Sequence, residues 1–213
     1  MDQEAAGASY QQVIQELRTS YDRKVGERAH RTLAPWKEIE RARFLELLTA
    51  EKRQTLLELG CGAGHDSFFF QEHGLTVTAI DLSPGMVDFC RGRGVDARVM
   101  DFAHITFAPA SFEALYAVNS LLHLPKAEFP GILAKLSTLL RPAGLFYLGQ
   151  YGGVDQEGVW EGDHYEPKRF FARYLDEQIQ AIVTQVFDLL AFRAVPTDDG
   201  STGHFQAMIL RKR

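Results

Sequence analysis

One run constrains this chain more than any other: Glu58-Leu59-Gly60-Cys61-Gly62-Ala63-Gly64-His65. It follows the short apolar stretch Thr55-Leu56-Leu57 and precedes residues that read as a helix. It is therefore a glycine-rich strand-to-helix turn, where a nucleotide-like ligand can lie against bare backbone. The spacing is Glu-x-Gly-x-Gly-x-Gly rather than Gly-x-Gly-x-x-Gly. A carboxylate ends the strand, and a second, Asp66, opens the helix. A pyrophosphate favours helix N-terminal N–H groups with no negative charge nearby. Two acids at this turn suit a ligand that carries positive charge.

Around the turn the pattern alternates. Val13, Ile14, Leu17, Tyr21 and Val25 predict a helix over Tyr10–Ala29, and a second runs from about Trp36 to Leu48. Strand Thr55–Leu59 is followed by a helix near His65–His73, which Gly74 ends. Strand Leu75–Ile80 leads to Asp81-Leu82-Ser83-Pro84, where Ser83 and Pro84 cap a helix ending near Gly92. Strands Val95–Met100 and Phe112–Val118 come next. A helix from Pro125 to Leu140 and a turn at Pro142-Ala143-Gly144 then lead to strand Leu145–Gly149. Gln150–Arg169 reads as a long loop rich in Gly and aromatic residues. Leu175–Val183 reads as a helix, and Thr184–Ala194 and Phe205–Arg211 as two strands joined by Pro196–Gly203. Strands alternating with helices mean a right-handed, parallel winding.

The expected fold is α/β: a Rossmann-like, doubly wound sheet, mostly parallel with an antiparallel C-terminal strand. Helices cover both faces, and an N-terminal helical lid caps the site. One domain accounts for all 213 residues. Its parts are a disordered tail 1–8, capping helices 9–50, a ligand-binding core 51–149, a substrate loop 150–174, and a helix with a β-hairpin over 175–213.

A net charge of −5 argues against a nucleic-acid partner, which needs a basic face. Cys61 and Cys90 are too few for a disulfide framework or a zinc site, and no metal is expected. Cys61 stands where the glycine turn needs a small residue. Met1–Ser9 does not read as a signal peptide, and no apolar run approaches the ~20 residues that cross a bilayer. The expectation is a cytoplasmic protein, with no membrane partner, that is a monomer or homodimer.

Polar residues stand at the ends of four successive strands: Glu58, Asp81, Asp101 and Asn119. They should converge on the crevice at one edge of the sheet. Asp81 is placed to reach the two hydroxyls of a ribose. Asp101 can accept from an adenine amino group, while Phe102 stacks on the base. Singly, each has a plainer reading: Asp81 as a helix cap, Asp101 as a solvated loop residue, Asn119 as a turn. S-adenosylmethionine, with an ammonium, a sulfonium and no phosphate, fits the set.

The residues resemble class I S-adenosylmethionine-dependent methyltransferases of the small-molecule type. The first motif is Leu56-Leu57-Glu58-Leu59-Gly60-Cys61-Gly62-Ala63-Gly64. The second is Val77-Thr78-Ala79-Ile80-Asp81-Leu82-Ser83-Pro84-Gly85-Met86-Val87. Asn119 to Pro125 and Leu139 to Leu145 match later segments, with Ala143 where the family often has Gly. The likeness covers roughly residues 50–150. It implies that Glu58 supports the turn and helps hold the methionine ammonium, and that Gly60, Cys61, Gly62 and Gly64 let backbone approach the cofactor. It further implies that Asp81 takes the ribose and that Leu82 packs on adenine beside Met86. Asp101 and Phe102 then read the adenine edge, Asn119 faces the amino-acid end, and Tyr21 on the lid reaches the cofactor. The product would be S-adenosylhomocysteine.

The implied reaction is in-line methyl transfer to an oxygen or nitrogen of a small molecule, for which positioning supplies roughly 7–11 kcal/mol. Where the nucleophile carries a proton, a base adds about 10²–10⁴-fold. His123 and His164 are the candidate bases; His123 equally serves a structural role. The loop residues Tyr151, Trp160, His164, Tyr165 and Arg169 are candidate substrate contacts, or simply a packed surface loop. Lys168, Arg169 and Arg173 read more readily as helix-flanking charges than as a site for an acidic substrate. The other readings are an S-adenosylmethionine-binding regulatory or partner protein without turnover, an NAD-dependent oxidoreductase, and a protein or RNA methyltransferase. The glycine spacing and Asp66 argue against the oxidoreductase.

Overall fold

The structure is a computed structural model that describes residues 9–197 and 203–213. The expected disordered tail lies outside the described residues. The elements follow in the order α1 (Tyr10–Asp22), α2 (Val25–Ala29), α3 (Pro35–Ala50), β1 (Thr55–Leu59), α4 (His65–Glu72), β2 (Thr76–Asp81), α5 (Pro84–Gly92), β3 (Asp96–Val99) and β4 (Phe112–Val118). Then come α6 (Phe129–Leu139), β5 (Leu140–Gly152), β6 (Gln156–Val159), β7 (Phe170–Arg173), α7 (Asp176–Val183), β8 (Phe187–Val195) and β9 (His204–Lys212). Short 3-10 turns span Phe102–His104 and Leu121–His123.

Seven strands form one sheet in the order β3-β2-β1-β4-β5-β9-β8. The strands from β3 to β5 pair in parallel, and β9 runs antiparallel to both its neighbours. The expected Rossmann-like sheet with an antiparallel C-terminal strand is what the chain forms. Alternate residues divide the core between two faces. Leu57, Leu59, Ile80, Leu115, Phe146 and Leu148 pack with α1, α6 and α7. Leu56, Val77, Ala114, Tyr116, Leu145 and Tyr147 pack with Phe44 and Leu48 of α3 and Phe70 of α4. Strand order reverses between β1 and β4, so a crevice opens at their C-terminal ends.

Three elements differ from the expected pattern. The first helix breaks after Asp22. Gly26 weakens helix propagation there. The break frees the Asp22 carboxylate to accept from Gly85 N at 3.0 Å and from the Ser83 hydroxyl, at the N-terminus of α5. The long helix begins at Phe129, four residues later than expected, after a turn from Pro125. The loop after the fifth strand is no open loop: β5 runs on to Gly152, and β6 and β7 pair as a separate two-stranded sheet. Gln156, Glu157 and Gly158 carry no apolar alternation, so nothing local announces β6.

Candidate functional site

The glycine turn is held from β2. Gly60 N and Cys61 N both donate to the Ile80 carbonyl, at 2.8 and 3.0 Å. Gly60 has φ +80°, and a Cβ there would lie 2.4 Å from Ser120 Cβ. Only glycine meets both conditions. Gly64, at φ +77°, is the N-cap of α4. Asp81 ties the two strand ends together: one oxygen accepts from Gly62 N at 2.8 Å, the other from Ser83 N at 2.9 Å. Burial raises its pKa, and these two N–H groups oppose the rise. Ser83 caps α5, accepting from Met86 N at 3.1 Å.

A cavity opens over this turn. Gly60, Gly62, Asp81, Leu82, Phe102, Asn119 and His123 line it from the sheet side, and Tyr10, Val13, Ile14, Leu17 and Tyr21 line it from α1. Arg28 of α2 completes the wall. Three buried polar atoms of these lining residues have no partner: Arg28 Nε, Asn119 Oδ1 and Ser120 Oγ. Buried groups of this kind are normally paired, so the cavity is chemically incomplete without a polar ligand. Asn119 itself sits at φ +52°, which an asparagine tolerates, so its turn role and its place at the cavity coexist.

Behind the cavity a connected set of groups joins α1 to the segment between β6 and β7. The Asp163 carboxylate takes Arg169 in a two-pronged pair, at 2.8 and 2.9 Å. Arg169 Nη1 donates to the Tyr21 hydroxyl at 3.3 Å, and its guanidinium covers the Tyr165 ring at 3.6 Å. His123 Nδ1 faces the Phe170 carbonyl at 2.7 Å. A carbonyl only accepts, so Nδ1 carries the proton and Nε2 accepts from Tyr21 O–H at 2.6 Å. Burial first, then the nearby Arg169 and Arg28 charges, bring the His123 pKa down to about 3, opposed by the Phe170 carbonyl. Both ring nitrogens are engaged and the imidazole is a weak base. Arg23 Nη1 reaches the Glu166 carbonyl at 2.9 Å, and the Ser20 hydroxyl reaches that of Pro167.

The other residues singled out in the sequence fall in different places. Glu58 is buried beneath the turn and takes the Ser67 hydroxyl; burial and neighbouring Asp66 push its pKa well up. Asp66 is held by Arg41 at 3.0 Å, and the same guanidinium stacks on Phe69 at 3.9 Å. Neither acid lines the cavity, whereas Arg28 does. The argument that two acids face a cationic ligand is thus corrected: one is neutralised by α3 and the other is covered by the turn. Cys61, Gly64 and Met86 lie behind the lining, around the turn and α5. Asp101 caps the 3-10 turn at Ala103 N and His104 N, and the Tyr10 hydroxyl reaches it at 3.5 Å. Tyr151 packs against Trp36 and Phe205, on the α3 face, and is not brought to the cavity. The His164 side chain is 65% exposed, and Trp160 is 42% exposed against Phe171. Tyr165 is buried beside Tyr21, Arg28 and Arg169. Arg169 is no helix-flanking charge but a central member of this set. Arg28 escaped the sequence reading, because nothing local separates it from the neighbouring basic residues Arg23, Lys24 and Arg31.

Residues 56–144 match the family described as "Methyltransferase domain". The core of the chain is thus similar to methyltransferases, in line with the motifs read from its sequence. A malonyl-[acyl-carrier protein] O-methyltransferase from Serratia marcescens is 31% identical over 124 residues, which is 56% of this chain and 48% of that protein. The chain thus spans about half the length of that curated relative. Among solved structures, the Burkholderia thailandensis 1,6-didemethyltoxoflavin-N1-methyltransferase superposes with a TM-score of 0.75. It is 20% identical, with 99% of this chain and 93% of that one covered. That crystal structure holds 1,6-didemethyltoxoflavin and S-adenosylhomocysteine. The [4+2]-cyclase SpnF superposes at 0.68, with 17% identity and 97% of each chain covered. These likenesses show the same fold. Among the described residues, no helix is long and apolar enough to cross a membrane, and no cluster of three or more His, Cys, Asp or Glu could hold a metal ion.

Proposed function

We propose that the protein is an S-adenosylmethionine-dependent methyltransferase acting on a nitrogen or oxygen of a small molecule. One observation carries the reading: a single cavity joins the glycine turn and Asp81 to a half-buried Arg28 whose Nε has no partner. These groups fit the two ends of the cofactor. Each Asp81 oxygen uses one lone pair on a backbone N–H and keeps another for a ribose hydroxyl. Leu82 and Phe102 offer the apolar walls for adenine. The guanidinium of Arg28 suits the amino-acid carboxylate, and Asn119 Oδ1 suits the ammonium. Glu58 shapes the turn from below, and α1 acts as the lid over the cavity. When bound, S-adenosylmethionine supplies an electrophilic methyl group on a sulfonium.

The chain itself supplies position and dryness rather than proton transfer. His123 has its basic nitrogen on Tyr21 and is too weak a base to take a proton near neutral pH. In this reading the acceptor arrives with a free lone pair, as a neutral ring nitrogen or an already ionised hydroxyl. Tyr21, fixed between His123 and Arg169, positions the acceptor from the lid side. Tyr165 and Arg169 brace Tyr21 from outside the cavity lining. The toxoflavin-precursor enzyme, whose name describes methylation at a ring nitrogen, supports an acceptor of this class. The weak basicity of His123 also leaves room for a second reading, a cofactor-binding protein that catalyses no methyl transfer; one solved protein of this fold is named for a [4+2] cyclisation.

The test is transfer of isotope-labelled methyl from S-adenosylmethionine to a panel of nitrogen heterocycles and phenols. Labelled product whose pH–rate profile follows the acceptor's own pKa supports the reading. Tight S-adenosylhomocysteine binding with no transfer to any acceptor favours the second reading.

A further inference from the structure

Cys61 and Cys90 are the chain's two cysteines, and the fold brings them together. Their sulfurs lie 3.8 Å apart, both free and both buried. Cys61 occupies the glycine turn, and Cys90 lies on α5. The Cys90 thiol also donates to the Gly62 carbonyl at 3.3 Å. Gly62 is the residue whose N–H holds Asp81. The thiol pair therefore touches the peptide units that shape the cavity floor. The Cys61 thiol, hydrogen-bonded to Cys90, holds the Cys90 thiol below its usual range although burial pushes it up. The same contact, followed by burial, pushes the Cys61 thiol well up. Of the two thiols Cys90 is the easier to ionise, with Cys61 beside it to resolve an oxidised product.

We propose that Cys61 and Cys90 form a reversible oxidation site that closes to a disulfide under hydrogen peroxide and deforms the cofactor turn. The Cys90 thiolate attacks peroxide: an S–O bond forms, the O–O bond breaks, and the released hydroxide leaves as water after taking a proton. Cys90 becomes a sulfenic acid, and the peroxide is reduced. The Cys61 sulfur then attacks that of Cys90: the S–S bond forms, the S–O bond breaks, and the leaving hydroxide takes the Cys61 proton as a second water. Two thiols and one peroxide give one disulfide and two waters.

The sulfurs must close from 3.8 Å to about 2.05 Å. There is little slack, since a Cβ on Gly64 would already lie 2.8 Å from the Cys90 sulfur. Closure also strips the Gly62 carbonyl of its S–H donor. The displacement is therefore carried by the turn over Gly60–Gly64. The thiol chemistry stands alone, whereas its effect on ligand binding rests on the cofactor reading above.

The test treats the full chain with stoichiometric hydrogen peroxide. Intact mass is expected to fall by two hydrogens, peptide mapping to show a Cys61–Cys90 link, and dithiothreitol to reverse both. Amide hydrogen exchange over residues 60–66 should rise in oxidised wild type and stay unchanged in peroxide-treated Cys90→Ser. In the same samples S-adenosylhomocysteine affinity should fall about tenfold in oxidised wild type alone. Retained thiols, over-oxidation without the link, or a link that leaves exchange at the turn unchanged would each overturn the proposal. If the reduced protein binds no S-adenosylhomocysteine, the cofactor reading fails, while the mass and exchange readouts still decide this one.

Discussion

Replacing Arg169 with leucine exposes how the site is braced. The Asp163 side chain has no exposed surface and that of Arg169 is 12% exposed, so the pair is largely dry. Burial alone would raise the Asp163 pKa; the Arg169 side chain and backbone N–H outweigh it and hold the carboxyl below its ordinary range. Removing one partner of such a pair strands the other charge, which costs about 3–5 kcal/mol. For a chain of this size each kcal/mol moves Tm by about 2–4 °C, so Arg169→Leu should lower Tm by roughly 6–20 °C. Tyr21 also loses the donor that fixes its oxygen, so acceptor KM should rise more than cofactor Kd. The assay is a double-mutant cycle by urea unfolding. Asp163→Asn combined with Arg169→Leu should be more stable than Arg169→Leu alone, because the stranded charge is gone. If Arg169→Leu costs less than about 1 kcal/mol, as for an exposed pair, or if the double variant recovers nothing, the buried-pair account is wrong.

Other outcomes follow from single contacts. Gly60→Ala must place a Cβ 2.4 Å from Ser120 Cβ at φ +80°. Left-handed strain of about 1–2 kcal/mol and overpacking of about 1–3 kcal/mol should both appear in unfolding curves, with S-adenosylhomocysteine binding lost. Arg28→Met removes a charged partner worth about 1.5–3 kcal/mol, so S-adenosylhomocysteine should bind roughly 10–150-fold more weakly. 5′-Methylthioadenosine, which lacks the carboxylate, should bind unchanged; equal losses for both ligands contradict the assignment. Ser83→Ala deletes the α5 cap and the partner of Asp22, for about 1–2 kcal/mol in thermal melts. His123 titrates at about 3 when folded, against about 6.5 when unfolded. Its stabilising contribution is present above about pH 6.5 and is lost as pH falls through the window down to about 3, where the unfolded chain binds the extra proton. Wild type should therefore lose more stability than His123→Asn between neutral pH and about pH 4.5; equal slopes refute the assignment.

The sheet was legible because its signals are local. Strands such as Thr55–Leu59 and Thr76–Asp81 are short apolar runs that end at Gly or Asp, and Ser83-Pro84 announces its own helix. The same local logic placed Gly60, Gly62, Asp81, Leu82, Phe102 and Asn119 around one crevice. What stayed hidden depends on partners far along the chain. Asp22 ends its helix to reach α5, Asp66 is claimed by Arg41 of α3, and Arg169 is fixed by Tyr21, far from it in sequence. Charge read at one position says little about which way a side chain faces. That is why an acid-rich turn suggested a cation at a wall that in fact holds Arg28. The aromatic segment 150–170 divided for the same reason: Tyr165 turned inward to the arginines, Tyr151 went to the α3 face, and His164 stayed in solvent.

The central claim is that the cavity over the glycine turn holds S-adenosylmethionine through Asp81. Calorimetric titration of wild type and Asp81→Ala with S-adenosylmethionine, S-adenosylhomocysteine and NAD tests it most directly. The account predicts micromolar binding of the first two to wild type, none of NAD, and loss of binding in a variant whose circular dichroism shows it folded. Binding of NAD, or no binding of any of the three to folded wild type, would contradict it.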